Sequence, residues 1–172
     1  MTITPQMPNI PIYFDTVVLS NFVFGGLVEA MIDYYKPNAF STTQVMDEIE
    51  SGISAGYHDL QLVANTVQKK GISIVSLNPL EYGVFETLLQ RLGRGEASII
   101  TCAAGRKGIV STDDRAAREM CRDRNVKYIG TIGILQILIK EKTISLVTAE
   151  NALSKMISAG FYSPIRRLGD TL

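Results

Sequence analysis

The sequence of 172 residues has few of the side chains that most often build nucleophilic and zinc sites. It contains two cysteines, Cys102 and Cys121, and no CxxC pair, so we expect neither a disulfide framework nor a cysteine-based zinc site. His58 is the single histidine, which leaves no Ser-His-Asp or Cys-His arrangement to propose. Any chemistry of this chain must therefore depend on other residue types.

Long apolar runs are also missing. The longest nearly apolar stretch, residues 129–139, includes Gln136 and is well short of the roughly 20 residues that cross a bilayer. The first residues are rich in proline and place no Lys or Arg ahead of an apolar segment, unlike a secretory signal. We therefore expect no membrane span and a cytoplasmic protein.

The formal net charge is zero, but the charges are unevenly distributed. Residues 1–60 contain seven acidic residues and one basic residue, whereas residues 91–127 contain nine basic and five acidic residues. Lys and Arg beside a polyanion release its condensed counterions, so the second segment could attract a phosphate-bearing partner. Ordinary solvated helix faces are the alternative interpretation of the same charges.

Short apolar runs alternate with helical patterns along the chain. Continuous apolar character, rather than alternation, is typical of parallel strands that are covered by crossover helices on both faces. The sequence therefore predicts an α/β fold with a parallel sheet. The five predicted strands are residues 10–14, 38–41, 72–77, 108–111 and 126–129.

Capping residues predict where several helices begin. Asn78 followed by Pro79 predicts a helix that continues to about residue 92. Thr131 and Thr148 predict the first turns of two later helices.

Acidic side chains follow two of the predicted strands. Asp15 ends the first strand, and Asp113 and Asp114 end the fourth, so the parallel arrangement brings them to one edge of the sheet. Glu48 and Glu96 lie near the starts of helices and are expected at the same edge. Glu96 and Asp113 also suit the positive end of a helix dipole, whereas Asp15 is expected to have no helix turn of its own.

Mutual repulsion decides what such a cluster requires. Two carboxylates about 4 Å apart at an effective dielectric constant near 20 repel by roughly 4 kcal/mol, so a positive charge must lie among them. No Lys or Arg occurs within eight residues of Asp15, although Arg115 could reach it through the fold. Ligands that are all oxygen favour Mg²⁺ or Mn²⁺, which activate water and neutralise phosphoryl oxygens. The acids and the basic segment, residues 91–127, together indicate phosphodiester hydrolysis.

Five segments together resemble the PIN-domain ribonucleases, in particular a prokaryotic subgroup related to VapC-type toxins. The resemblance spans about residues 11–165. The segments are Phe14-Asp15-Thr-Val-Val-Leu-Ser-Asn, Val45-Met-Asp-Glu48, Leu92-Gly-Arg-Gly-Glu96-Ala-Ser, Ile109-Val-Ser-Thr-Asp113-Asp114-Arg-Ala-Ala-Arg118 and Tyr128-Ile-Gly-Thr-Ile-Gly-Ile-Leu135.

The resemblance implies a three-layer α/β/α sandwich with a central parallel sheet, comprising an N-terminal extension over residues 1–10 and one PIN-like domain over residues 11–172. It also implies a metal-dependent endoribonuclease that uses Mg²⁺ or Mn²⁺ to hydrolyse RNA, with an antitoxin protein and a second copy of the chain as expected partners. A non-catalytic module that keeps this fold and binds RNA or protein is the alternative.

The resemblance also assigns roles to individual residues. The catalytic set is Asp15, Glu48, Glu96 and Asp114; the metal ligands are the same four residues with Asp113; and the substrate contacts are Thr112, Arg115 and Arg118. The common Thr-x-Asp spacing favours Asp114 over Asp113 as the metal-side acid, but both stay in contention. Glu96 stands where many relatives have Asp, so direct ligation and contact through water are both open.

Two other families fit the residues poorly. The glycines at 93 and 95 follow a predicted helix rather than a strand, and Ser98 replaces the third glycine of a dinucleotide loop. A haloacid-dehalogenase-like phosphatase needs a second Asp at the position of Val17.

Overall fold

The computed structural model describes residues 9–171, so most of the expected N-terminal extension, residues 1–8, lies outside the described residues. The five predicted strands are confirmed, although most are shorter than predicted. They form one parallel sheet in the order β3-β2-β1-β4-β5. The strands are β1 (Ile12–Phe14), β2 (Ala39–Thr42), β3 (Ser73–Val75), β4 (Ile109–Ser111) and β5 (Lys127–Ile129).

Helices in the described part of the chain cover this sheet and complete the three-layer α/β/α sandwich, which confirms the predicted fold class. Helix α6 packs on β1, β2 and β4, with α3, α5 and α7 beside it, whereas α1, α8 and α9 pack against one another. The helices are α1 (Thr16–Phe24), α2 (Val28–Tyr35), α3 (Thr43–Ser54), α4 (Leu60–Lys70), α5 (Tyr82–Leu88), α6 (Arg94–Arg106), α7 (Arg115–Asp123), α8 (Thr131–Lys140) and α9 (Leu146–Ser158).

The burial of each strand depends on its position in the sheet. All three residues of the central strand β1 are buried, because the strand is paired on both edges and covered on both faces. The edge strand β3 is more open, and Ile74 is 40% exposed. None of the helices in residues 9–171 has the length and apolar character needed to cross a membrane.

A polar clamp anchors α5 to the end of α6 that is remote from the acids. Asn78 and Glu81 form a reciprocal capping box, in which Asn78 Oδ1 accepts from the Glu81 N–H at 3.2 Å and Glu81 Oε2 accepts from the Asn78 N–H at 2.8 Å. Arg106 donates to both Glu81 carboxylate oxygens at 2.8 Å, and this pairing lowers the pKa of Glu81. This box closes the turn before α5, which begins at Tyr82 with Glu81 as its N-cap and ends at Leu88, so both the predicted start after Asn78 and the predicted end near residue 92 are wrong.

Two further predicted helix caps are wrong. Gly130 is the cap of α8, and the hydroxyl of Thr131 instead donates to Asp113. Ser145, rather than Thr148, caps α9 and accepts from the Thr148 N–H at 3.0 Å. In both cases a residue with a hydroxyl lies one to three positions inside the helix, where sequence alone does not separate it from the cap.

Candidate active site

The carboxyl ends of β1 and β4 lie side by side and bring Asp15 next to the segment that follows β4. Phe14 is the parallel partner of Ser111, and the Asp15 N–H donates to the Ser111 carbonyl at 3.1 Å. This pairing fixes the positions of the acids that follow the two strands, because both chains leave the sheet at the same edge.

Asp15 is buried, with 5% of its surface exposed. It is the N-cap of α1, where its Oδ1 accepts from the Val18 N–H at 2.7 Å, so the expectation that it has no helix turn of its own was wrong. The reason is that α1 begins at Thr16, directly after the strand. Burial raises the pKa of the Asp15 carboxyl to about 7; hydrogen bonds from Thr112 and Val18 oppose the rise, and the charge of Asp113 adds to it.

Glu48 and Glu96 come from two helices that meet beside this edge. Glu48 lies on α3, and its Oε1 accepts from the Gly95 N–H at 2.7 Å. A Cβ at Gly95 would collide with the Glu48 carboxylate, so the close approach requires glycine. Glu96 follows in the first turn of α6, and burial raises the pKa of its carboxyl, with the charges of Glu48 and Asp114 acting in the same direction.

Asp113 is held in a network of hydrogen bonds. Its Oδ1 accepts from the Thr131 N–H at 3.0 Å and from the Arg118 guanidinium at 3.1 Å. Its Oδ2 accepts from the Thr131 hydroxyl at 2.5 Å and from the Asn21 amide at 3.4 Å. Asp113 therefore connects α1, α7 and α8. Although it lies outside α8, it accepts the N–H of Thr131, the first residue of that helix, which has no partner within the helix.

Asp114 has a different environment from its neighbour. It is exposed and is the N-cap of α7, where Oδ1 accepts from the Ala117 N–H at 2.7 Å. Within residues 9–171 its other carboxylate oxygen accepts no hydrogen bond. The buried hydroxyl of Thr112 accepts from the Asp114 N–H at 3.1 Å, and its interaction with the Asp15 carboxyl lowers the pKa of that group, so Thr112 lies next to both acids.

The two arginines predicted to contact substrate differ in their exposure and in the acids with which they pair. Arg115 has 93% of its side chain exposed and forms one ion pair with Glu119 at 3.2 Å. Arg118 is 34% exposed, pairs with Asp113 and lies over the ring of Tyr128. In the described part of the chain, no Lys or Arg forms an ion pair with any of the other four acids, Asp15, Glu48, Glu96 and Asp114.

An open cleft of about 560 Å³ leads away from the acids along α1, and we call it the acidic cleft. Glu96, Asp113 and Asp114 line one end, and the hydroxyl of Thr16, which also lines it, has no hydrogen-bond partner among the described residues. The segment after α9, residues 159–162, forms another wall. No periodic pattern in the sequence assigned that segment to the site.

Asn21 and Thr131 are two polar residues of this region that sequence reasoning did not assign to it. Asn21 donates to the Thr131 hydroxyl at 3.0 Å as well as to Asp113. The signal for Asn21 was available, because it is an amide in the mostly apolar helix Thr16–Phe24, and a buried amide requires a partner.

The donor chemistry of this edge fits a divalent cation. Its carboxylates include the buried Asp15, and burial together with the charges of neighbouring acids raises the pKa values of Asp15 and Glu96. The four acids without an ion pair supply only oxygen, which Mg²⁺ and Mn²⁺ prefer. The positions do not form a closed cage: within residues 9–171, no three His, Cys, Asp or Glu side chains converge closely enough to hold one ion. The arrangement therefore suits an ion that keeps most of its water molecules and has few direct protein ligands.

The comparisons with known proteins agree with this geometry. A family model described as a PIN domain matches residues 11–172, so the chain belongs to the PIN-domain family, as its segments had indicated. PIN domains have a nuclease-type fold and generally use divalent metal ions. The comparison with curated proteins finds no match. The comparison with solved structures finds none either.

The raised pKa of Asp15 predicts how the stability of the metal-free chain depends on pH. An acid whose pKa is higher in the folded state stabilises the fold fully below its unfolded pKa, near 3.8, and loses that contribution as the pH rises through about 7. Asp15→Asn should remove this loss. In urea unfolding with EDTA present, the free energy of unfolding of the wild type should therefore fall by a few kcal/mol relative to that of the variant between about pH 5 and pH 8. Asp47→Asn, an exposed acid on α3, is the control. Parallel pH profiles for wild type and Asp15→Asn would contradict the expected environment of Asp15.

Proposed function

We propose that this protein is a metal-dependent endoribonuclease that hydrolyses RNA phosphodiester bonds. The observation that carries the proposal is Asp15, a buried acid at the end of the central strand. Its acidic neighbours Glu96 and Asp113 line the acidic cleft, and no Lys or Arg of the described residues pairs with it. A buried acid without a counter-charge is costly, and a divalent cation removes that cost.

The side chains divide this work between them. Asp15, Glu96 and Asp114 would hold a hydrated Mg²⁺ or Mn²⁺ ion, some of them through its water molecules, and Glu48 would contribute from its position on the Gly95 N–H. Such an ion, when bound, neutralises phosphate charge and lowers the pKa of water. Asp113 and Thr112 keep their neighbours in place, and the exposed Arg115 is free to contact a phosphate.

Cleavage of an RNA whose two ends are chemically blocked tests the proposal, because only an endonuclease cuts such a substrate. We expect internal cuts with Mn²⁺ or Mg²⁺ and none with EDTA. Calorimetric titration with Mn²⁺ should show binding that Asp15→Asn weakens strongly. Cleavage that persists in EDTA, or a chain that binds Mn²⁺ and leaves every RNA intact, would contradict the proposal.

A non-catalytic PIN-fold module is the second candidate. It is favoured by the hydrogen bonds that already engage Glu48 and Asp113 and by the lack of a three-ligand cage within residues 9–171. Titration separates the two candidates: a chain that binds RNA but takes up no Mn²⁺ at millimolar concentration is a binding module.

Membership of the VapC-type subgroup, and with it a role as the toxin of a toxin-antitoxin pair, belongs to the same proposal. Induced expression should then arrest growth, Asp15→Asn should not, and the product of an adjacent small gene should relieve the arrest. We also propose a homodimer through α8 and α9, where Val147 is 70% exposed, which sedimentation of wild type and Val147→Asp would test.

A further inference from the structure

Tyr162 is the most exposed aromatic residue of the described chain, with 96% of its surface accessible to solvent. It lines the acidic cleft together with Glu96, Asp113 and Asp114. It also lines a second cavity of about 330 Å³ that contains Asp113 and Arg118. An aromatic ring therefore stands between a pocket of carboxylates and a pocket with a guanidinium group.

Hydrogen bonds anchor the backbone on both sides of Tyr162, although its ring is exposed to solvent. Phe161 is 9% exposed, and its N–H donates to the Met156 carbonyl at 3.0 Å, which anchors it to the end of α9. Ser163 closes a turn on the other side: its N–H donates to the Phe161 carbonyl at 3.0 Å, and its hydroxyl donates to the Ile165 carbonyl at 2.6 Å. A ring presented on a fixed backbone loses less freedom on binding a ligand than a ring on a loose one.

The walls of the acidic cleft favour a flat, uncharged group over a phosphate. Apolar surface is supplied by Val17, Phe24, Leu60 and Phe161, and among residues 9–171 no Lys or Arg lines this cleft. Away from a bound metal ion, a phosphate would meet carboxylates and no cationic side chain of these residues, whereas a nucleobase has an apolar face that stacks on an aromatic ring. In the neighbouring cavity Arg118 is the one cation that the described residues place in the wall, so negative charge fits there better.

We infer that Tyr162 is a stacking platform for an unpaired base next to the cleaved bond. The inference rests on the proposed nuclease function and adds a residue that contacts and positions the substrate. A base within a duplex has both faces covered by its neighbours, so it cannot lie on the Tyr162 ring without leaving the helix. Because every base has such a face, Tyr162 gives affinity with little sequence preference.

Binding and cleavage by three variants test this inference. The probe is a short oligoadenylate RNA with a fluorescent label, used alone for anisotropy in EDTA and with Mn²⁺ for cleavage. Tyr162→Ala should weaken binding of the single strand by about 5- to 100-fold, while Tyr162→Phe, which keeps the ring, should bind as wild type does. Pairing the probe with its complement should weaken wild-type binding and abolish the difference between wild type and Tyr162→Ala.

Tyr82→Ala is the matched control. Tyr82 is 47% exposed and lies beside Glu81, whose partner Arg106 ends α6, whereas Glu96 lies in the first turn of that helix. Ten residues of helix separate Glu96 from Arg106, roughly 15 Å. Tyr82→Ala should therefore leave both binding and cleavage unchanged.

The outcomes separate this inference from the proposed function. If Tyr162→Ala loses affinity but no protein cleaves RNA with Mn²⁺, the stacking platform stands and the nuclease proposal fails. If wild type and Tyr162→Ala bind and cleave equally, the nuclease stands and the platform is overturned. A Tyr162→Ala protein that binds RNA normally but no longer self-associates would also overturn it, because the ring would then serve an interface between copies.

Discussion

Asp15→Asn should reduce Mn²⁺-dependent RNA cleavage by roughly a thousand-fold or more, because it removes the acid with the most buried position at the proposed metal site. The substitution changes charge with almost no change in shape. The Asn Oδ1 can accept the Val18 N–H as Asp15 does, so the cap of α1 survives and the protein should fold. Loss of cleavage with a native circular dichroism spectrum is the result we expect.

The control for Asp15→Asn is Asp47→Asn, which removes one acidic charge from an exposed position on α3. It should leave cleavage unchanged, since long-range repulsion of RNA by one surface charge is largely screened by salt. Equal, small losses in both variants would show that Asp15 acts only through net charge. That result would exclude Asp15 from the metal site and would leave no proposed metal ligand at the end of β1.

Asp113→Ala should lower the free energy of unfolding by about 3–5 kcal/mol, the largest stability loss we expect at this edge. The change leaves the Thr131 N–H and hydroxyl without their acceptor, and it leaves the Arg118 guanidinium with only the Thr112 carbonyl. Asp114→Ala should cost only about 1 kcal/mol, because it removes one helix cap at an exposed position. Urea unfolding in EDTA measures both values without a contribution from bound metal.

Metal binding should show the reverse order of effects. Asp114 keeps a carboxylate oxygen that no described residue engages, whereas both oxygens of Asp113 accept hydrogen bonds. Asp114→Asn should therefore weaken Mn²⁺ binding more than Asp113→Asn does, as calorimetry at a fixed pH would measure. Equal stability losses in the two alanine variants, or stronger loss of Mn²⁺ binding in Asp113→Asn, would contradict this division of roles.

Much of the fold could be predicted from sequence because strands and helices leave different periodic patterns. Continuous apolar runs predicted five parallel strands, and parallel pairing brought the acids after β1 and β4 to one edge. Helix limits were less predictable. The helix after Asn78 ends at Leu88 and not near residue 92, and the cap of α8 is Gly130 although Thr131 has the better capping side chain. Such limits depend on packing, which outweighs the propensity of a single residue.

The two neighbouring acids after β4 show where sequence reasoning stops. Asp113 and Asp114 have identical side chains and adjacent positions, and their spacing from Thr112 favoured one without excluding the other. In the fold their surroundings differ because Asp113 meets Asn21 and Thr131, which are 92 and 18 residues away in the chain. Asp114 meets the first turn of its own helix.

The amino-acid sequence by itself determined the order of the elements, the parallel sheet and the family, since these follow from local apolar periodicity and short ordered segments. The tertiary structure alone decided which carboxylates are engaged and which are open, and it placed Tyr162 at the acidic cleft. The physical reason is that the hydrogen-bond partners and the exposure of a side chain depend on contacts between segments that are distant in the chain. Local sequence patterns do not determine those contacts.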